Sequence, residues 1–155
     1  YQFTANFLTL FNTKNLQSAI FVCYLCNVNN TNINNQIIII MNKYLNHEME
    51  VTKKFYKFLC KEENQEPVKL IFKEIKGGSG SCSYYRYNGK VVPVQIAINI
   101  ENCNCSAAYA LLHEFTHLIV IRKYNTASHG AAFEKEFKRL QKKYENCNIA
   151  REFYF

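Results

Sequence analysis

The sequence predicts an α+β fold in which a small, mostly antiparallel, twisted sheet packs on one buried helix, with further helices flanking it. Three observations carry this reading. Asn88-Gly89 separates two runs of strand-type residues, and an Asn-Gly pair readily takes the positive φ angles of a two-residue hairpin turn. Residues 106–124 form an unbroken helical stretch with Leu111, Phe115, Leu118 and Ile119, flanked by Leu112 and Ile121, making a broad apolar face. Residues 131–144 place Phe133, Phe137, Leu140 and Tyr144 on one stripe of an amphipathic helix.

Taken in chain order, residues 1–40 differ from the rest. They hold one charged residue, Lys14, and an asparagine-rich stretch at 27–35. The apolar runs 20–26 and 37–40 fall far short of the roughly 20 residues a membrane helix requires. No positive leader precedes a small-residue cleavage site, so neither a signal peptide nor a membrane anchor is expected. Met41 opens a normally charged stretch, which makes 1–40 an extension or packing arm and 41–155 the expected functional domain. Residues 42–61 fit a helix, with Leu45, Met49, Phe55, Phe58 and Leu59 near one face and lysines opposite. Pro67 marks a break, and residues 68–75 read as a strand. Gly77-Gly78-Ser79-Gly80 is a turn that lacks the Lys-Ser/Thr ending of a phosphate loop. Residues 84–87 and 91–100 are the two hairpin strands, with Pro93 expected at an edge or a strand start and 94–100 expected as an edge strand able to pair with an extended peptide. Ser106 or Asn104 can cap the main helix, and Ser128 the last one, while Gly130 is expected to let the backbone pass close to its neighbours.

A chain of 155 residues is one domain's worth, and 48% hydrophobic with 15% aromatic content rules out global disorder. The absence of aspartate removes the usual ligands of a calcium or magnesium cage. Seven cysteines are an odd number with no disulfide framework, which favours a reducing, intracellular compartment, cytoplasmic or nuclear. Cys23 and Cys26 have metal or redox spacing without a second pair and read as buried thiols; Cys103 and Cys105 read as packing residues.

Chemistry concentrates where three of the four histidines lie together: His113-Glu114-Phe115-Thr116-His117, eleven residues, then His129-Gly130. On a helix, residues four apart share a face with Cβ atoms about 5–6 Å apart, so His113 and His117 are spaced to grip one metal ion. Glu114, one position round, reaches a metal-bound water without being a ligand, and zinc lowers the pKa of such a water to roughly 7. The longer pattern His-Glu-x-x-His-x-x-Gly-x-x-His fails at Val120 and Lys123. Glu134 and Glu136 sit on a charged, apparently solvated face, which leaves His129 as the third ligand.

These residues resemble the SprT-like (Spartan-type) zinc metalloproteases. The resemblance rests on His113-Glu114-x-x-His117, the gap, and His129-Gly130-x-x-Phe133, and extends upstream to Gly80-Ser81-Cys82-Ser83-Tyr84 and the strand 94–100. It covers about residues 41–144 and implies a zincin-like core with Zn2+ on His113, His117 and His129, Glu114 as general base, and a protein or peptide substrate. In several members of that family the substrates are proteins attached to DNA. Members often add a four-cysteine zinc ribbon; here only Cys147 lies beyond the last helix, so the expectation is a minimal core without one.

Lys and Arg outnumber Glu by seven, and Lys135, Lys138, Arg139, Lys142 and Lys143 crowd the last helix, a face able to neutralise phosphates. An ordinary solvated helix with i,i+4 pairs from Glu134 and Glu136 is the competing reading. Tyr84-Tyr85-Arg86-Tyr87 has the composition to stack on unpaired bases, or to serve as alternating core and surface. The expected activity is zinc-dependent peptide-bond hydrolysis; the alternative is a non-catalytic DNA- or protein-binding module with a structural zinc.

Overall fold

A computed structural model describes residues 31–101 and 106–144. The chain divides into two compact units, residues 1–42 with Phe155 and residues 43–154, and the histidine site lies in the second. Among the described residues the order is α1 (Thr31–Glu62), β1 (Lys69–Phe72), β2 (Gly80–Tyr87), β3 (Lys90–Ile98), α2 (Ala107–Tyr124) and α3 (Ala131–Tyr144). The architecture is α+β, as the sequence predicts. Helix α1 starts eleven residues before the expected Asn42, because residues 31–41 contain neither Gly nor Pro to stop it. The alternative cap Asn104 and the residues Cys23, Cys26, Cys103, Cys105 and Cys147 lie outside the described residues.

The sheet has the order β1-β3-β2. Strand β3 pairs antiparallel with β2 through the hairpin and parallel with β1 from Lys69↔Gln95 to Phe72↔Ile98. The expectation that 94–100 forms an edge is therefore wrong: β3 is central, and β2 is the edge. The reason lies in the crossover from β1, which returns a strand to the far side of β3. Pro93 is tolerated because β1 begins opposite Gln95, so the first half of β3 is paired on one side only. At the turn, Asn88 (φ 48°) and Gly89 (φ 73°) take the left-handed angles that the hairpin signal requires.

Helix α2 is the centre of the core. Ser106 caps it, its Oγ accepting from the Tyr109 N–H at 3.2 Å, and Asn125 closes it in the left-handed region with its N–H on the Ile121 carbonyl. The Asn125 side chain then accepts from the Val91 N–H at 2.6 Å and donates to the Gly89 carbonyl at 2.9 Å, tying the end of α2 to the hairpin. Leu111, Phe115 and Leu118 meet Ile96 and Ile98 of the sheet, Phe55 and Leu59 of α1, and Leu140 of α3 in one apolar cluster. Tyr56 on α1 both donates to the Val68 carbonyl and accepts from its N–H, fixing α1 to the start of β1.

Two buried carboxylates anchor α3. Glu136 accepts from Lys123, Tyr124 and Arg139, and Glu63 from Arg139, Lys143 and Tyr144. Glu136 is thus inside, not on the solvated face expected for it, because α2 and α3 together supply it three donors. Burial pushes the Glu63 carboxyl up, but the hydrogen bonds from Arg139, Lys143 and Tyr144 outweigh it and hold the group at about 2. A carboxyl that titrates near 4.3 when unfolded and near 2 when folded adds stability above about pH 4.3, and that stability is lost as pH falls through 2. Glu63→Gln should lower stability at pH 7 by about 1–3 kcal/mol and flatten the acid limb between pH 4.3 and 2, read by urea unfolding across pH. An unchanged acid limb would remove Glu63 as the anchor.

Candidate metal centre

Helix α2 is apolar almost all round, so its buried polar residues Glu114, Thr116 and His117 each need an internal partner, with His113 half-buried beside them. Thr116 donates to the Leu112 carbonyl one turn back. His113 and His117 lie on successive turns and meet edge to face with ring centroids 5.2 Å apart, and His129 comes over them from the α2–α3 loop. The Nε2 atom of His129 lies 3.0 Å from that of His113 and 3.0 Å from that of His117. The structure thus brings together all three histidines predicted as ligands, close enough to bind a metal ion.

The residues fit such an ion better than they fit each other. A neutral imidazole Nε2 carries either one hydrogen or one in-plane lone pair, so His129 Nε2 makes one good hydrogen bond and leaves its second neighbour poorly matched. A cation facing three lone pairs satisfies all three. Tetrahedral nitrogens at about 2.0–2.1 Å from zinc stand about 3.3–3.4 Å apart, a few tenths wider than the spacing here. Burial first, then the neighbouring His129, keeps His113 below the ordinary imidazole range, and the same causes with His113 added push His117 down to about 4. Both rings are therefore neutral at pH 7, the form that binds metals.

Phe133 completes the cluster. Its ring centroid lies 4.8, 4.4 and 4.7 Å from those of His113, His117 and His129, and Phe137 continues the wall against His113 and Tyr109. The sequence reading placed Phe133 on the core stripe but gave it no role at the site; its position one turn into α3 after His129 was the available signal. Gly130 does not serve close approach, since a Cβ there meets only Ser128 Oγ at an ordinary 3.6 Å. Gly130 rather than Ser128 starts α3, its carbonyl accepting from the Glu134 N–H, while Ser128 Oγ bonds Thr126.

Glu114 is on the same helix but outside the convergent set, turned toward β2 and 7% exposed. Its carboxylate accepts the Cys82 backbone N–H. Burial raises its pKa to about 7, with that hydrogen bond working in the opposite sense. A glycine at position 80 makes the fit possible: a Cβ there would sit 2.7 Å from Glu114 Cγ and 2.9 Å from Oε1. Gly80 and Cys82 therefore shape the surroundings of Glu114, a role that their place in a sequence motif does not reveal. No family model, curated protein or solved structure matches this chain.

Two outcomes follow from this geometry. Gly80→Ala should destabilise the fold by about 1–3 kcal/mol through the clash with Glu114 while leaving zinc affinity intact, as read by thermal unfolding and chelator competition. His129→Ala should weaken zinc binding by more than about 100-fold, beyond the range that outer partners of a metal carry. Full affinity in His129→Ala would remove the third ligand.

Proposed function

We propose that this chain is a zinc-dependent endopeptidase of SprT-like type. The single observation that carries the reading is the pairing of three converging imidazoles with a buried carboxyl poised near neutrality and excluded from the ligand set. His113, His117 and His129 would hold the zinc. When bound, zinc supplies Lewis acidity that polarises a carbonyl and eases ionisation of water. A general base works best when its pKa lies near the working pH, and the environment of Glu114 supports that role. Glu114 takes a proton from the attacking water at its carboxylate and passes it to the leaving amine nitrogen. The Cys82 N–H and the gap at Gly80 keep the carboxylate in one place through both transfers.

The substrate strand lies along β2. Among the described residues no strand neighbours its outer side, and its first residues pack against Glu114. Main-chain pairing at such an edge selects extended polypeptide with little sequence preference. Proteins attached to DNA are the substrates that the resemblance implies. Cys60 and Cys82 are free thiols, in keeping with a reducing compartment, and no helix among the described residues is long and apolar enough to cross a membrane. A purely structural zinc has no need of Glu114, whose carboxyl stands outside the ligand set.

The test compares wild type with Glu114→Gln for zinc content and for cleavage of an unfolded protein, free and DNA-linked. Retained zinc with cleavage reduced by at least about 100-fold is expected. Equal cleavage by both proteins removes Glu114 as base, and zinc in both with cleavage by neither favours the binding-module alternative.

A further inference from the structure

Residues Tyr84-Tyr85-Arg86-Tyr87 take no part in the histidine site, and the structure gives them no core to fill. Every residue from 83 to 90 is exposed, with Tyr84, Tyr85 and Tyr87 at 45%, 53% and 67%. We propose that this outer half of the β2–β3 hairpin binds single-stranded nucleic acid, the tyrosines stacking on bases and Arg86 and Lys90 meeting phosphates. The proposal does not depend on the peptidase reading.

The arrangement suits that ligand in three ways. First, ring position: Tyr85 and Tyr87, opposite Val92 and Lys90, alternate with Tyr84 and Arg86, opposite Pro93 and Val91, so aromatic faces line both sides of a two-stranded ribbon. Stacking on such rings is tolerant of sequence because every base offers a π-face. Second, charge: residues 75–100 contain no acidic side chain, while Lys76, Arg86 and Lys90 are cations, so the partner that complements this arm is anionic. Third, preorganisation: Asn125 holds the hairpin at Gly89 and Val91, so the platform is ordered before ligand arrives.

A lipid surface is the other anionic partner to weigh. The tip, Asn88-Gly89-Lys90, offers no Leu, Ile, Phe or Trp to insert, and rings on both sides of a ribbon cannot lie in one interface together. The basic face of α3 is a weaker candidate for nucleic acid, because Arg139 and Lys143 are engaged by Glu63.

Fluorescence anisotropy of the full chain with a labelled oligothymidylate of about 16 nucleotides, and with a duplex of equal length, tests the proposal. Preference for the single strand is expected, with the double substitution Tyr85→Ser and Tyr87→Ser weakening it by about tenfold or more. Arg86→Gln with Lys90→Gln should reduce the slope of log affinity against log salt by about 1.4. Unchanged binding in the tyrosine variant, preference for duplex, or binding to phosphatidylserine vesicles in place of the oligonucleotide would overturn the proposal. Iodination of the wild-type protein supplies a check that needs no variant: Tyr84, Tyr85 and Tyr87, mapped by mass spectrometry, should be protected by saturating oligonucleotide. Equal labelling with and without it also overturns the proposal.

Discussion

A helix buried on nearly every side can carry polar groups only where the surrounding structure answers each of them, and that constraint on α2 shapes the site. Thr116 is answered by its own helix, Glu114 by the Cys82 N–H, and His113 and His117 by a third imidazole from a loop. Each answer comes from a different element, so the helix cap at Ser106, the β2 register and the α2–α3 turn must all be correct before the cluster assembles. The low dielectric that makes these groups demanding also sets their protonation: it drives the His113 and His117 imidazoles neutral and lifts the carboxyl toward neutrality. One cause thus acts in opposite senses on two imidazoles and a carboxyl of the same helix.

The third histidine depends in turn on where α3 is held. His129 stands two residues before α3, so any sliding of that helix would move the imidazole off the others. Glu136 and Glu63 oppose sliding from opposite ends, the first gripping the end of α2 through Lys123 and Tyr124, the second gripping the end of α1. Arg139 spans both carboxylates. Cations that look in sequence like a phosphate-binding face are therefore partly structural, and the position of the histidine cluster is set by ion pairs remote from it.

Much of this was legible in the sequence, for physical reasons that differ between elements. Asn88-Gly89 fixed the hairpin because few other pairs accept two positive φ angles in succession. His113 and His117 declared a shared face through a spacing that any helix imposes, and His129 followed by elimination. What stayed hidden was non-local. The central place of β3 comes from a crossover joining strands about twenty residues apart, which no alternation pattern within 94–100 encodes. The burial of Glu136 depends on donors from α2 as well as its own helix. Gly80 looked like turn chemistry, and only its distance to Glu114 shows that it leaves room for a carboxylate.

Strand β2 carries two environments in eight residues, and the change between them follows from the reach of α2. Residues 80–82 are half-covered, at the point where Glu114 meets Gly80 and Cys82; beyond Ser83 the strand is exposed on both faces. The register shift between Ser83 and Tyr84 falls at this boundary, where a bulge adds twist and turns the outer half away from the inner pleat. A strand of this length spans about 26 Å. A peptide paired at the free edge of its inner half and a nucleic acid on its outer tyrosines would therefore be held within one strand's length of each other. If both proposed readings hold, affinity for single-stranded nucleic acid would raise the local concentration of any polypeptide attached to it at the carboxylate. Selectivity for a substrate would then come from what the polypeptide is attached to, which is the selectivity that an edge reading only main chain lacks.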